Sequence, residues 1–432
     1  MLSLSPLSPE LAGTRIAEEP ASELLPGLSA QQLQRPLKLQ NSVQPYAWGT
    51  TDVLPWLLGV ANPSGQPQAE IWVGAHPKAP SWVNLPSGSV PLDRVIQAEP
   101  QLLLGQSVVA HFGHELPFLF KILSAGSPLS IQVHPNKQQA QQGFLREELA
   151  GVPLTAGYRN YKDPNHKPEL ISALTPFAAM VGFRPIREMI HLLQLLGVKL
   201  FNNWILELEA KGVEALEPFY QWVLELPAEE VRRTLAAAAP SIKYHKQPAL
   251  LEMARLARAY PGDSGAFAPL LLNLVYLNPG ESLFLPARTP HAYLRGTGVE
   301  VMACSDNVLR AGLTDKHVDK PELLATVEFS IMYPEVLRPD YVGIEQVIPI
   351  PVDDFRLSFL RPDGPTPFPV GGQGEIELLY GLRGQMTLTS AEGETWSLGP
   401  ADALLLPAGG AGYTLSGKGK LAWARVNQSV TQ

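Results

Sequence analysis

Gln132 and His134 stand two residues apart in the run Leu129-Ser130-Ile131-Gln132-Val133-His134, so on an extended strand both side chains leave the same face. Where that face lines a barrel interior, a single strand delivers an amide oxygen and an imidazole nitrogen to one point. A second imidazole, His291, ends the frame Gly280-x5-Pro286-x4-His291. There a glycine turn, an apolar strand (Leu283, Phe284, Leu285) and a bend at Pro286 carry the ring on rigid backbone. A carboxylate completes such a set, and Glu169 in DPNHKPEL (163–170) is the best-placed candidate. Two His, one Gln and one Glu leave a divalent ion with a residual charge of about one, which suits zinc or a similar borderline ion. A Cys-rich structural site and an all-oxygen calcium cage are both disfavoured.

The segment after His291 also holds Glu300, Asp306 and Arg310, which puts acid and base chemistry close to that ion. The single cysteine, Cys304, excludes an intramolecular disulfide framework, and its small apolar neighbours point to a buried structural thiol. GDSG (262–265) reads as a glycine-rich turn at the exit of a helical stretch rather than a protease fragment. No phosphate-binding P-loop and no dinucleotide fingerprint occur.

The elements that must position these residues change character along the chain. Residues 1–37 are rich in Ser, Pro, Leu and Glu and read as a loosely ordered extension. Residues 38–184 give short strands and turns, as in Glu70-Ile71-Trp72-Val73 and Pro117 to Leu123. Over 185–265 the apolar period becomes helical, with Met189, Ile190, Leu192 and Leu193, and a helix ending at Pro240. Strands resume at 266–335, and residues 336–432 again read as strand and turn. FLPARTPHAYL (284–294) aligns with LLPAGGAGYTL (405–415), which sets Pro286 on Pro407 and His291 on Gly412. The expectation is therefore a mainly β protein of two barrels with a helical insert, the second barrel lacking the imidazole.

Composition bounds the rest. An apolar fraction of 45% with 17% charged residues describes a globular chain, and 432 residues exceed what one core usually organises. A formal charge of −8 argues against nucleic acid as a main partner. No apolar run is long enough to span a membrane, and the first twenty residues lack a secretory signal, so a cytoplasmic protein is expected.

Gly280, Pro286 and His291 resemble the second motif of the cupin superfamily, and Gln132-x-His134 a variant of the first. More narrowly, the chain resembles the type I mannose-6-phosphate isomerases (phosphomannose isomerases). The matching segments are QPYAWG (44–49), AEIWVGAHP (69–77), LPFLFKIL with SIQVHP (116–135), YKDPNHKPE (161–169) and PHAY…SDNVLRAGLTDK (290–316). The resemblance implies two cupin-like jelly-roll barrels plus a helical domain, and one zinc per chain on Gln132, His134, Glu169 and His291. It places Trp48, Lys121, Ser130, His166, Lys167, Tyr293, Glu300, Asp306, Arg310 and Lys316 around the substrate cleft. The implied reaction interconverts D-mannose 6-phosphate and D-fructose 6-phosphate through an enediol, in a monomer with no nucleic-acid or membrane partner. Arg310, Lys167 and Glu300 are the catalytic candidates: Lys167 and Glu300 compete as proton carriers, and Arg310 suits an enediolate or phosphate. Two departures stand out. The cupin glycine two after the proline is Arg288, and residues 1–37 have no counterpart in the pattern. A cupin oxygenase and a non-catalytic sugar-binding protein are the rival readings. The neutral Gln ligand and the basic set Lys121, Lys167, Arg310 and Lys316 favour a phosphosugar.

Overall fold

The computed structural model describes residues 29–85 and 88–427. Most of the predicted extension lies outside the described residues. Its last part is regular: Ser29 accepts from Gln32 N and starts the short helix Ala30–Leu33, whose Leu33 is fully buried.

Two large antiparallel sheets organise the chain. The first runs Leu272–Leu277, Phe177–Phe183, His291–Ala303, Phe118–Ala125, Glu70–Val73 and Ser42–Gln44, with Ile131–Val133, Glu169–Ala173, Ser282–Leu285 and Leu309–Gly312 joined beside that path. The long strand His291–Ala303 is its organiser. Its first residues pair with Phe177–Phe183 and Gln132, and its last with Phe118–Ala125 and Glu169–Ala173. The change of partners falls at Gly296, whose φ of 116° a side chain would resist and whose missing Cβ would meet Pro176 O at 2.6 Å.

Period-two alternation decides which side chains face where. Phe118, Phe120 and Ile122, with Val299, Val301, Ile71 and Val73, enter a core shared with Leu378 and Tyr380 of the second sheet. The Phe120 and Tyr380 ring centroids lie 5.3 Å apart. Fully burying such side chains contributes roughly 1.5–3 kcal/mol each before entropy is counted. Their neighbours Leu119, Lys121, Glu300, Met302, Glu70 and Trp72 must therefore face the other way, and all of them line one cleft.

Between Phe177–Phe183 and its antiparallel partner Leu272–Leu277, the chain makes five α-helices of ten or more residues, Ile186–Leu196, Asn202–Lys211, Leu216–Glu225, Ala228–His245 and Pro248–Ala259, besides shorter helical turns. Their apolar faces (Met189, Leu193, Phe219, Leu250) pack onto Ile131, Val133, Ala292 and Leu294. Ile131 and Val133 flank Gln132, and Ala292 follows His291, so the helices clamp the back of the strands that carry the candidate ligands. Pro240 does not end a helix as predicted; it lies inside Ala228–His245. One backbone hydrogen bond is forgone there. Ile242 beyond Pro240 still packs on the helical core.

The second sheet pairs the strands of residues 340–425 and adds three strands from far upstream. Leu37–Gln40 lies between Ala403–Leu406 and Trp82–Leu85, which in turn pairs with Gly88–Pro91. This differs from the boundary expected at residue 38. The cause is local: Leu37 and Leu39 alternate with Lys38 and Gln40, so the strand has one apolar face, and that face completes the second sheet's core. The internal repeat is visible as matching strand, proline and long strand. Ser282–Leu285 precedes Pro286 and His291–Ala303, as Ala403–Leu406 precedes Pro407 and Gly412–Arg425.

Candidate metal centre and cleft

His134, Glu169 and His291 are all buried, and one ligand atom from each lies within 4.8 Å of the others. His134 Nε2 is 3.2 Å from Glu169 Oε1, and His291 Nε2 is 3.4 Å from Glu169 Oε2. Two ligands about 2.0–2.1 Å from a tetrahedral ion sit roughly 3.4 Å apart, so the spacing matches one coordination tetrahedron. Each imidazole gives its Nδ1 to a backbone carbonyl, His134 to Asn307 O at 2.7 Å and His291 to Thr289 O at 2.9 Å. This fixes the tautomer and turns a bare Nε2 lone pair inward. His134 Nε2 is buried with no hydrogen-bond partner. An orphan acceptor of that kind fits a cation. Burial first, then the Lys167 charge, lowers the His134 pKa to about 4, so the ring is neutral as a ligand must be. Burial pushes Glu169 up, but Lys167 and the two imidazoles outweigh it and hold the carboxyl well below the usual range. Gln132 stands opposite His291 across the strands and lines the same cleft.

The cleft above this group encloses about 600 Å³. Trp48, Lys121, Ser130, Lys167, Tyr293, Glu300, Asp306, Arg310 and Lys316 all line it. His166 does not: it turns away and pairs with Asp354 at 3.0 Å. On an extended segment neighbours point to opposite sides, so Lys167 and Glu169 enter the cleft while His166 meets the second sheet's end of the chain.

Lys121 sits between two buried carboxylates, 3.7 Å from Glu70 and 3.4 Å from Glu300. Its pKa is raised: burial opposes the charge, but Glu70 and Glu300 outweigh burial. Burial pushes the Glu300 carboxyl up, Lys121 pulls it back, and the nearby Glu169 and Glu70 push it up again, for a net rise. Lys167 bonds Glu169 Oε1 at 3.2 Å. Arg310 is opposite Gln132 across its strand and, among the described residues, has no ion-pair or hydrogen-bond partner for its guanidinium. Asp306 is engaged by Lys78 at 2.8 Å and His76 at 3.4 Å. Half-buried Asp163 holds that loop through Asp306 N and Ser305 Oγ, both at 2.8 Å.

Sequence reasoning missed Glu70, Trp72, His76, Lys78 and Tyr260, all of which line the cleft. A signal existed for the first two: in Glu70-x-Trp72 the polar residues alternate with the buried Ile71 and Val73, and Trp72 Nε1 donates to Glu70 at 2.5 Å. Tyr260 gave none, since it arrives from the helical segment and is tied to Pro128 O at 2.8 Å.

These features define a β-sheet protein with a buried His–Glu–His metal group at the base of a cation-lined cleft. Residues 37–186 match the family described as phosphomannose isomerase type I, catalytic domain. The mannose-6-phosphate isomerase of Escherichia coli (strain K12) is 45% identical over 390 residues, covering 89% of this chain and 98% of that protein. Mannose-6-phosphate isomerase 1 of Arabidopsis thaliana is 33% identical over 401 residues, covering 86% and 89%. A crystal structure of zinc-bound mannose 6-phosphate isomerase superposes with a TM-score of 0.85 at 42% identity, over 91% of this chain and 99% of that one. The chain belongs to the type I phosphomannose isomerase family. No helix among the described residues is long and apolar enough to cross a membrane.

Proposed function

We propose that this chain interconverts D-mannose 6-phosphate and D-fructose 6-phosphate through an enediol, with one zinc ion held by Gln132, His134, Glu169 and His291. The observation that carries this reading is the pair of bared imidazole nitrogens set with Glu169 at tetrahedral spacing under a cleft rich in cations. The names of the relatives support the substrate, and the zinc-bound neighbour supports the ion. When bound, the ion supplies positive charge that polarises the sugar oxygens.

The remaining work falls to side chains. Lys121, kept cationic by Glu70 and Glu300, is a fixed charge for a phosphate or developing oxyanion rather than a base. Arg310 has its guanidinium free and serves the same end from the opposite wall. Glu300, buried and raised in pKa, and Lys167, beside Glu169, carry the proton between C2 and C1. Ser130, Trp48, Tyr293, Asp306 and Lys316 shape and hold the sugar phosphate. His166 steadies the segment carrying Lys167 and Glu169 through its contact with Asp354.

We further assign both sheets to cupin-type jelly-roll barrels, the first bearing the metal and interrupted by the helical insert. The second takes the upstream strands Leu37–Gln40, Trp82–Leu85 and Gly88–Pro91. The protein acts as a cytoplasmic monomer on a small phosphosugar, with no nucleic-acid or membrane partner. A coupled assay for fructose 6-phosphate tests the function, and metal-loaded protein that forms none from mannose 6-phosphate overturns it. Solvent exchange of the C2 proton in Glu300→Gln and Lys167→Ala assigns the carrier. A variant that loses turnover yet keeps exchange is not missing its base.

A further inference from the structure

Far from the metal cleft, four cationic side chains gather on the second sheet around a cavity of about 590 Å³: Arg361, Arg383, Lys418 and Lys420. The backbone brings two of them into direct opposition, because Arg383 faces Lys420 across paired strands. Like charges at such positions cost stability in a sheet. No ion pair relieves them: among the described residues, none of the four has an acidic side chain within bridging distance. The only carboxylate lining the cavity is Asp363, which leaves a net local charge of plus three on a chain whose formal charge is −8.

Arg361, Arg383 and Lys418 are exposed and reach the cavity from its rim. Lys420 is only partly exposed; its ammonium lies 4.2 Å from the Phe359 ring centroid, so the stem is held in place. Glycines 384 and 419 pair opposite one another at the rim, and a Cβ on Gly384 would meet Lys418 O at 2.1 Å. The backbone is therefore bare where a ligand approaches. A second cavity of about 220 Å³ shares Arg361, Arg383 and Lys420 and has an apolar wall of Leu57, Leu58, Leu174 and Leu382. That wall reaches Ala173, the last residue of the strand that begins at Glu169.

We propose that this cationic cavity is a second anion site, which takes a small phosphate ester of two or more negative charges, its uncharged part resting on the leucine wall. The argument does not depend on the reaction at the metal cleft. The depressed pKa of Lys420, about 8 through burial and then the Arg361 charge, is consistent with a cation lacking its counter-charge.

Isothermal titration of the full chain with 2,3-bisphosphoglycerate tests it, with the cleft disabled by Arg310→Ala and Lys316→Ala. That background is expected to keep one binding event, weakened by added salt. Adding Arg361→Ser and Arg383→Ser is expected to weaken it about tenfold or more, and Lys420→Met alone to weaken it measurably. The two serine changes remove repulsion at exposed positions, so the melting temperature is expected to hold or rise, which separates lost binding from lost folding. No binding in the cleft-disabled protein overturns the proposal. So does binding undiminished by the serine and methionine changes.

Discussion

Asn307→Ala offers a test of how the metal ligands are held. Asn307 is fully buried, and its side chain is saturated. Nδ2 donates to Asp163 O at 2.7 Å and Asn165 O at 2.8 Å, while Oδ1 accepts from Lys162 N at 2.7 Å. Its own carbonyl accepts from His134 Nδ1 at 2.7 Å. The side chain thus pins the loop whose backbone orients a ligand. Truncation strands the Lys162 amide and the Asp163 carbonyl, and leaves Asn165 O with Ser305 Oγ at 3.2 Å; each buried group left unsatisfied costs about 1–3 kcal/mol, less where water enters the space. The carbonyl then loses its fixed aim, and loss of such outer contacts weakens metal binding about 10- to 100-fold. Competition with a chromophoric chelator gives the zinc affinity, and calorimetry of the metal-free protein gives stability. Asn307→Asp is the companion: it keeps the Oδ1 acceptor but sets a carboxylate against Asp163, so it is expected to fall with the alanine variant. Wild-type zinc affinity in both variants would refute the idea that this loop aims His134.

Removing the Lys121 charge with Lys121→Met leaves Glu70 and Glu300 buried without a counter-ion, so a loss of about 3–5 kcal/mol in denaturant unfolding is expected. An unchanged midpoint would contradict it. For Lys420 the folded pKa of about 8 lies below the ordinary lysine value of 10.5, so the unfolded chain binds more protons in that interval. The penalty is full below pH 8 and is relieved as pH rises toward 10.5; wild-type protein is expected to gain melting temperature there relative to Lys420→Met. Arg288 holds a φ of +68° but also bonds Thr326 O at 3.2 Å and pairs with Glu328. Arg288→Ala keeps the strain and loses both ties, whereas Arg288→Gly sheds roughly 1 kcal/mol of strain. The glycine variant is therefore expected to melt above the alanine variant, and the reverse order would show that the backbone there is not strained.

Much of the metal group was legible because period-two spacing survives folding. Gln132-x-His134 and Lys167-x-Glu169 each share a face, and the neighbouring residues Ile131, Val133 and Leu170 are buried in apolar cores. The frame from Gly280 to His291 announced the strand, the bend and the candidate ligand, and its echo at Pro407 announced the second long strand. What stayed hidden depends on contacts across sequence. Leu37–Gln40 looks like any alternating strand, and nothing in it names Ala403–Leu406 as its partner. His166 followed the cleft motif, but the backbone rotates it toward Asp354, nearly two hundred residues away. Pro240 looked like a helix end because its own residue type forbids one hydrogen bond, while the packing of Ile242 that carries the helix onward is tertiary. Glu70 and Trp72 were written in a quoted motif, yet only the ion pair with Lys121 gives the carboxylate a role.

The central claim is that His134, Glu169 and His291, with Gln132, hold one ion on which the isomerisation depends. The direct measurement follows fructose 6-phosphate formation from mannose 6-phosphate in protein stripped by a chelator and then titrated with zinc. Activity is expected to vanish on stripping and to return in proportion, saturating at about one zinc per chain. Full activity in metal-free protein, or recovery that ignores zinc stoichiometry, would contradict the account.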